Sequence, residues 1–167
     1  MAHRVGTVLS TRGVPTPLPL MKLSLFSDYS LRTLMYAALK DEQFQIDDVT
    51  AAYGISRNHL AKVVNHLAKL GYLETKRGRS GGMRLARPPE SIRIGKLVRE
   101  TEDQPVFVEC FDAVHNTCPI NGSCQLKGVL AVALRAFYAS LDQYTLADVV
   151  TGPHRARMVK TLLGVEK

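Results

Sequence analysis

The sequence predicts a mainly α-helical protein with one small β-hairpin, organised as a winged helix-turn-helix followed by a long dimerisation helix. Three patterns support this fold class: two short helical segments around a glycine, a hairpin pattern directly after them, and a long amphipathic helix near the C-terminus. The 167 residues suffice for one compact domain with an appendage. No run of about 18 apolar residues occurs, so we expect no membrane span and a cytoplasmic protein.

The helix-turn-helix is predicted from two helical patterns joined by a glycine turn. The first covers residues 46–53. Ser56 is a good N-cap for the second, whose apolar positions then repeat at helical spacing to about residue 70. A preceding helix is predicted from an N-cap at Ser27 or Asp28 to about residue 39.

The second helix of this motif presents a polar face opposite its apolar stripe. Its first turn carries Arg57, Asn58 and His59, and Lys62 follows on the next turn. Arginine can pair with guanine and asparagine with adenine at base edges in the major groove. Because a reading helix contacts bases with its N-terminal residues, we expect these four side chains at the groove. The alternative is an ordinary solvated helix face.

A basic β-hairpin follows the helix-turn-helix. Residues 72–75 and 83–86 have strand patterns around a glycine-rich turn. The turn contains Arg77, Arg79 and Ser80, and its cations can approach the phosphate backbone or enter a minor groove. A hairpin directly after a helix-turn-helix predicts a winged helix that binds double-stranded DNA.

Charge is distributed unevenly within the net +7 of the chain. Residues 56–99 contain 11 lysines and arginines against two acidic residues, which favours a polyanionic partner. Residues 101–125 contain four acidic residues and neither lysine nor arginine, so this segment is an unfavourable nucleic-acid surface. The DNA-facing surface is therefore expected in the middle of the chain.

All three cysteines of the chain, Cys110, Cys118 and Cys124, lie within this acidic segment. Thiolates are soft ligands that suit zinc, copper(I) or iron–sulfur clusters. The spacings of seven and five residues are wider than a structural zinc knuckle and leave room for a cluster. Three thiols fall one short of four ligands, so either the site is incomplete or another residue completes it. The alternative is that the cysteines pack as small hydrophobic residues.

Two helices are predicted around this cysteine segment, at residues 92–102 and 124–143, and a further short one at residues 144–150. The long middle helix carries an apolar stripe that is typical of packing against a partner helix, although it could also pack on its own domain. Its apolar positions are Leu126, Val129, Leu130, Ala133, Leu134, Phe137 and Leu141.

The chain is therefore expected to divide into four regions. Residues 1–20 contain three prolines and should form a disordered leader, or precede the true start at Met21. Residues 21–90 form the winged helix-turn-helix DNA-binding domain, residues 91–150 the cysteine loop and dimerisation helix, and residues 151–167 a C-terminal tail.

From Met21 to about Val150 the chain resembles NsrR, the family of iron–sulfur winged-helix repressors that sense nitric oxide. The resemblance covers about 130 residues and runs in family order. It is carried by the cysteines and by the segments LFSDY from residue 25, ISRNHL from residue 55, LGY from residue 70, RGRSGG from residue 77, IGKLVRE from residue 94 and YTLAD from residue 144.

The resemblance implies a homodimer in which Cys110, Cys118 and Cys124 hold an iron–sulfur cluster, either [2Fe–2S] or [4Fe–4S]. It implies a fourth ligand from the first helix of the other subunit, which corresponds to Asp28. Nitric oxide would damage the cluster and release DNA. A carboxylate matches a soft site poorly, so iron held by Asp28 should be exchangeable. The alternative for Asp28 is a plain N-cap.

The related regulator IscR resembles the same winged helix but carries a histidine ligand shortly after the third cysteine. No histidine follows Cys124 here until His154, and His115, between the first two cysteines, is expected to be solvated. A regulator of the same fold that senses iron or cluster supply is the alternative. An iron–sulfur electron-transfer protein would not need the basic winged helix. No arrangement of residues typical of an enzyme occurs.

Overall fold

The computed structural model describes residues 22–76, 78, 81–102 and 106–164. Within them, the protein is mainly helical with one two-stranded hairpin, which confirms the predicted fold class. The predicted leader and the wing residues Arg77, Arg79 and Ser80 lie outside the described residues. The elements are α1 (Leu25–Lys40), α2 (Ile46–Tyr53), α3 (Arg57–Lys69), β1 (Leu73–Lys76), β2 (Gly82–Leu85), α4 (Ile94–Thr101), α5 (Gln125–Leu141), α6 (Leu146–Val150) and α7 (Arg155–Leu163), with single 3-10 turns at Pro89–Ser91 and Glu109–Phe111.

The N-cap of α1 differs from the prediction. Ser24 caps the helix, and its hydroxyl accepts a hydrogen bond from the backbone N–H of Ser27 at 3.1 Å. Ser27 is fully buried inside the first turn, and Asp28 lies one residue later with Arg32 as its partner. The prediction of a cap at Ser27 or Asp28 is therefore wrong, because three serine or aspartate residues stood within one turn and only packing selects among them.

The helix-turn-helix forms as predicted. Gly54 ends α2 in the left-handed conformation with φ of 65°, which costs glycine little, and Ser56 caps α3 through a bond from the N–H of His59. The face of α3 toward the core is buried and consists of Leu60, Val63, Val64 and Leu67. Burial of this stripe fixes which side of α3 remains open to solvent.

The wing is attached to the body through the segment before α2. Strands β1 and β2 pair antiparallel from Leu73↔Leu85 to Lys76↔Gly82. Phe44 forms an isolated bridge to Met83 through two backbone hydrogen bonds of 2.9 and 2.8 Å. A side chain at Gly82 would collide with Gln43 and with the carbonyl of Phe44. Glycine is therefore required where the hairpin crosses this segment.

One hydrophobic core joins both ends of the described chain. Ile92, Leu97 and Leu146 are completely buried in the same cluster as the winged helix, so the core continues across the predicted division at residue 90. The expected C-terminal tail contains helix α7, whose Val159 is buried and which packs against α1 and α2. Helix α7 was not predicted, because its sequence is short and basic. Its few apolar residues are buried through contacts with the other helices and not by a pattern of its own.

The segment of residues 106–144, which we call the cysteine arm, contains no buried residue. It consists of the loop that carries the cysteines and of α5, which contacts α4. None of the helices in the described ranges has the length and apolar character that crossing a membrane requires.

Candidate nucleic-acid interface and cysteine loop

The predicted reading residues share the open face of α3. Arg57, Asn58, His59 and Lys62 are all exposed, and the buried stripe holds the opposite side of the helix against the core. Asn65 and Lys69 are also exposed one and two turns further along. The helix therefore presents donors and cations to solvent in the arrangement that a major groove can accept.

Two side chains at the start of α3 contact neighbouring helices. The Nε of Arg57 donates to Oδ1 of Asp47 on α2 at 2.7 Å, and both side chains are largely exposed. An exposed ion pair of this kind contributes little stability, so a base or phosphate can compete for Arg57. The ring of His59 lies 6.4 Å from the ring of Tyr29 on α1. Asp47 and Tyr29 were not identified from the sequence, because neither belongs to a local pattern with α3.

The wing presents further cations beside α3. Lys76 at the end of β1 and Arg84 on β2 are exposed, and Arg84 pairs with Glu74 across the hairpin. The side-chain amide of Gln45 donates to the carbonyl of Gly81 and ties the outer part of the wing to the segment before α2.

The three cysteines occupy three different local structures of the arm. Cys110 lies in a 3-10 turn, Cys118 in the following loop, and Cys124 is the N-cap residue of α5. All three are free thiols with intermediate exposure, so none serves as a core residue. Within this subunit the thiols are therefore partly open to solvent.

Polar contacts close the loop around these cysteines. Oε1 of Glu109 accepts hydrogen bonds from the hydroxyl and the backbone N–H of Thr117 at 2.6 and 2.7 Å. These bonds hold the pKa of Glu109 below its usual value and bring the neighbours of Cys110 and Cys118 together. The Nζ of Lys127 donates to Oδ1 of Asn121 at 2.7 Å and joins the last turn of the loop to α5.

The loop supplies three thiol donors, which suit a soft metal ion or an iron–sulfur cluster. Across the residues that the structure describes, no three histidine, cysteine or acidic side chains are close enough to hold one metal ion. Free thiols are the usual donors of iron–sulfur clusters. The thiol of Cys124 makes no capping bond, and the helix N-terminus behind it favours a negatively charged ligand.

The two candidates for a fourth ligand are both engaged within the chain. Asp28 accepts bonds from Arg32 at 3.0 and 2.8 Å on the exposed side of the first turns of α1. His115 is 81% exposed, and its Nδ1 lies 2.9 Å from Oδ2 of Asp112. Bonds from the backbone N–H groups of His115 and Val114 lower the pKa of Asp112.

A helix-turn-helix with an exposed cationic face, followed by a β-wing, defines the class of winged-helix transcription regulators. Residues 23–152 match the Rrf2 family, described as an "Iron-dependent Transcriptional regulator". The chain belongs to the Rrf2 family. Helix α7 begins at Arg155, beyond the matched residues.

The relatives are regulators as well. The chain is 52% identical over 132 residues to the "HTH-type transcriptional regulator NsrR" of Bacillus subtilis (strain 168), which covers 78% of this chain and 90% of that protein. It is 51% identical over 133 residues to the NsrR of Halalkalibacterium halodurans, with 78% and 91% covered. The resemblance noted in the sequence and the expectation of a transcription regulator rather than an enzyme are confirmed.

Solved structures share the fold. The structure of IscR from T. potens superposes with a TM-score of 0.61 over 78% of this chain and 86% of that chain, at 23% identity. The structure of Staphylococcus aureus CymR superposes with a TM-score of 0.59 over 78% and 98%, at 24% identity. These likenesses support the winged-helix fold of the described residues.

Proposed function

We propose that the protein is a cytoplasmic, nitric-oxide-responsive transcription repressor that binds its operator as a homodimer and loses affinity for DNA on exposure to nitric oxide. One observation carries the proposal: three free, partly exposed thiols lie in a segment without a buried residue, and the start of this segment lines a cavity together with His59 and Lys62 of the cationic helix α3. The name of its relatives, NsrR, agrees with the resemblance noted in the sequence.

The sensor would be an iron–sulfur cluster, either [2Fe–2S] or [4Fe–4S], held by Cys110, Cys118 and Cys124. When bound, it would supply iron that reacts with nitric oxide. Asp28 of the partner subunit is the proposed fourth ligand, and it would have to leave its ion pair with Arg32 to bind. Because that pair is partly exposed, the exchange costs little.

The second subunit would pack on the outer part of α5. Leu126, Val129 and Val132 are 60%, 63% and 59% exposed, which is unusual for apolar residues on one helix of a folded chain. Leu134, Phe137 and Leu141 line a cavity toward α4 instead. A two-fold dimer through α5 would place two copies of α3 on an inverted repeat, with half-sites about one helical turn, or a multiple of it, apart.

The DNA contacts divide into two proposed roles. Arg57, Asn58, His59 and Lys62 would read base edges in the major groove, because they share the open face of α3. Arg77, Arg79 and Ser80 of the wing would contact the phosphate backbone or the minor groove, as expected from their glycine-rich setting.

The test is anaerobic purification followed by iron and sulfide analysis and titration of operator binding with nitric oxide. The wild type should be coloured, contain iron and sulfide in comparable amounts, and release the operator as nitric oxide is added. Cys118→Ala should lose the colour and the response but keep its helical content. Ser123→Ala, a matched change in the same loop, should keep both. Colourless wild-type protein that contains only zinc would refute the proposal.

Asp28→Ala tests the fourth ligand. The variant should still bind a cluster through three thiols, with an altered absorbance spectrum and a weaker response of operator affinity to nitric oxide. Arg32→Ala is the matched control, because it removes the ion pair and leaves the carboxylate free to bind. Superimposable spectra and titrations of Asp28→Ala and wild type would exclude this ligand, and His115 would be the next candidate.

The description of the family as iron-dependent favours a second candidate, a regulator that responds to iron or cluster supply. The operator affinity of such a protein would differ between the cluster-bound and cluster-free forms. It would not respond to stoichiometric nitric oxide, but only to a large excess that destroys the cluster. Comparison of iron depletion with stoichiometric nitric oxide separates the two functions.

A further inference from the structure

The end of α4 is fastened to the beginning of α1 by a buried hydroxyl pair. Oγ of Ser27 lies 3.0 Å from Oγ1 of Thr101, and the two residues are 0% and 1% exposed. Oγ1 of Thr101 also donates to the carbonyl of Leu97 at 2.9 Å. Because a hydroxyl has a single hydrogen, Ser27 must be the donor and Thr101 the acceptor between the helices. Each side chain therefore has a defined role in the contact.

A second contact lies beside this pair, where α4 leads into the cysteine arm. We call this junction, from Glu102 to Phe107, the root of the arm. The backbone N–H of Ser24 donates to the carboxylate of Glu102, at 3.1 Å from Oε1 and 3.4 Å from Oε2. The carboxylate thus stands at the N-terminus of α1, where the helix dipole favours a negative charge. Burial raises the pKa of Tyr138 on α5, and the nearby charge of Glu102 adds to this effect. Glu102 therefore lies where α1, α4 and the arm converge. We call Ser24, Ser27, Thr101 and Glu102 the α1–α4 clamp.

The clamped end of α1 contacts the reading helix. The ring of Phe26 packs edge-on against His66 of α3 with centroids 5.2 Å apart, and Tyr29 lies beside His59. A cavity of about 630 Å³ is lined by α1, by His59 and Lys62 of α3, and by Glu102 and Phe107 at the root of the arm. The root of the arm and the DNA-reading face are therefore separated by little more than the first two turns of α1.

We propose that Ser27, Thr101 and Glu102 are positioning residues that couple the cysteine arm to the reading helix within one subunit, through the first turns of α1. The inference rests on the proposed function, because it presumes that the arm has a ligand-dependent state. If the root of the arm moves, Glu102 no longer holds the start of α1, and the rings of Phe26 and Tyr29 shift His66 and His59. The buried Ser27–Thr101 bond makes α4 and α1 move together rather than slide.

This route differs from the proposed ligation by Asp28, which connects two subunits. Both act on the same turn of α1, since Asp28 follows Ser27 directly in the sequence. Coupling through the clamp needs no contribution from the partner, so it should persist in a variant that lacks the Asp28 carboxylate.

Two serines of α1 offer a matched pair of variants. Ser27 and Ser30 are both completely buried, but within the described part of the chain the Ser30 hydroxyl bonds only to the carbonyl of Phe26 in its own helix, at 2.7 Å. Ser27→Ala therefore removes the contact between helices, whereas Ser30→Ala removes an equally buried hydroxyl without touching the clamp. The measurement is operator affinity of the intact dimer in its cluster-bound and cluster-free forms, with random DNA and iron content determined in the same samples.

The coupling is measured by the ratio of operator affinity in the cluster-bound form to operator affinity in the cluster-free form. In Ser27→Ala this ratio should fall at least about fivefold, the lower end of ordinary allosteric coupling, with iron content and affinity for random DNA unchanged. Ser30→Ala should keep the wild-type ratio. Glu102→Ala, which alters a half-buried side chain and should fold, is expected to reduce the ratio in the same way, and Thr101→Ser, which keeps the hydroxyl, should retain it.

A wild-type ratio in both Ser27→Ala and Glu102→Ala would overturn the coupling role while leaving the proposed function intact. A ratio of one in the wild type would refute the proposed function and the coupling together. Loss of iron from Glu102→Ala would also overturn the inference, because the residue would then act on the cluster rather than on α1.

Discussion

The winged-helix core and the cysteine arm differ in how they are held together. In the core, Leu60, Leu67 and Leu97 have no exposed surface, and contacts connect residues as distant as Ser24 and Glu102. In the arm, no residue is buried, and the hydrogen bonds within its described loop join residues at most eight positions apart, as between Glu109 and Thr117. The core is closely packed, whereas the arm exposes large apolar side chains of α5 and leaves its three thiols partly open to solvent.

The difference indicates where stability and function reside. Burial of one large apolar side chain contributes about 1.5–3 kcal/mol, whereas one hydrogen bond contributes about 0.5–1.5 kcal/mol net. The core therefore supplies most of the free energy of folding. A change in the arm would leave this core intact, which agrees with the sensing role that we propose for it.

The largest expected effect is on the free energy of unfolding, when a leucine of the core is replaced by alanine and compared with the same change in the arm. Leu97→Ala, in the core, should reduce the free energy of unfolding by about 2–5 kcal/mol because it leaves a cavity. Leu126→Ala, on the arm, should change the unfolding of the isolated subunit little. Urea denaturation at low protein concentration measures both. Equal losses would show that the arm belongs to the core.

A charge on the outer face of α5 should break the proposed dimer. Val129→Glu would bury a carboxylate in an apolar contact, so the assembly should dissociate while the helical content of the subunit stays unchanged. Arg135→Glu, an exposed position that is already charged, is the control on the same helix. Analytical ultracentrifugation distinguishes them, and an intact dimer in Val129→Glu would place the interface elsewhere.

In the winged-helix core, we expect the side chains of α3 to determine which base sequence the protein prefers. Arg57→Ala should cost about 1–3 kcal/mol of discrimination between operator and random DNA if its contact is bidentate. Asp47→Ala removes the side chain that holds Arg57 and should leave the preference in place. Competition binding between operator and random DNA measures this discrimination. Equal weakening on both DNAs would indicate that Arg57 contacts phosphate rather than bases.

The wing should act on affinity without reading sequence. Arg79→Ala should weaken binding to operator and random DNA alike and lower the slope of log affinity against log salt by about one, as expected for one lost phosphate contact. A salt titration of binding provides the slope. A change of sequence preference with an unchanged slope would contradict this role.

The smallest effect concerns α6, where the arm rejoins the core. Asp148 and Thr145 form a capping box, and the hydrogen bonds from the backbone and hydroxyl of Thr145 hold the pKa of Asp148 below its usual value. The carboxylate therefore stabilises α6 above its ordinary pKa, and this contribution is lost as the pH falls through the lowered pKa of the folded state. The stability difference between wild type and Asp148→Asn should shrink between about pH 5 and about pH 2. A stability difference that does not change with pH would show that the ionised carboxylate of Asp148 does not stabilise α6.

Elements with a strong local pattern were predicted correctly from the sequence. The glycine after α2, the N-cap Ser56 and the apolar stripe of α3 specify the helix-turn-helix by themselves, and each appears as predicted. The cap of α1 and helix α7 were not predicted. Several serines could have capped α1, and α7 is stabilised by its contacts with α1 and α2 rather than by its own sequence.

The candidate site divides in the same way. The exposed face of α3 and the three free thiols follow from sequence, because a stripe of apolar residues fixes which side of a helix is buried and cysteines are few enough to identify. The pairing of Arg57 with Asp47, and of Ser27 with Thr101, joins residues ten and 74 positions apart. Nothing in a linear pattern indicates such partners.

The sequence alone thus determined the winged-helix class, the polarity of its reading helix and the identity of the thiols, since these depend on local propensity and periodicity. Only the tertiary structure decided that α4, α6 and α7 complete a single core, that the arm remains outside it, and that the end of α4 is fastened to α1. The physical reason is that burial and hydrogen bonding between distant segments depend on how the helices pack, and packing is a property of the whole chain.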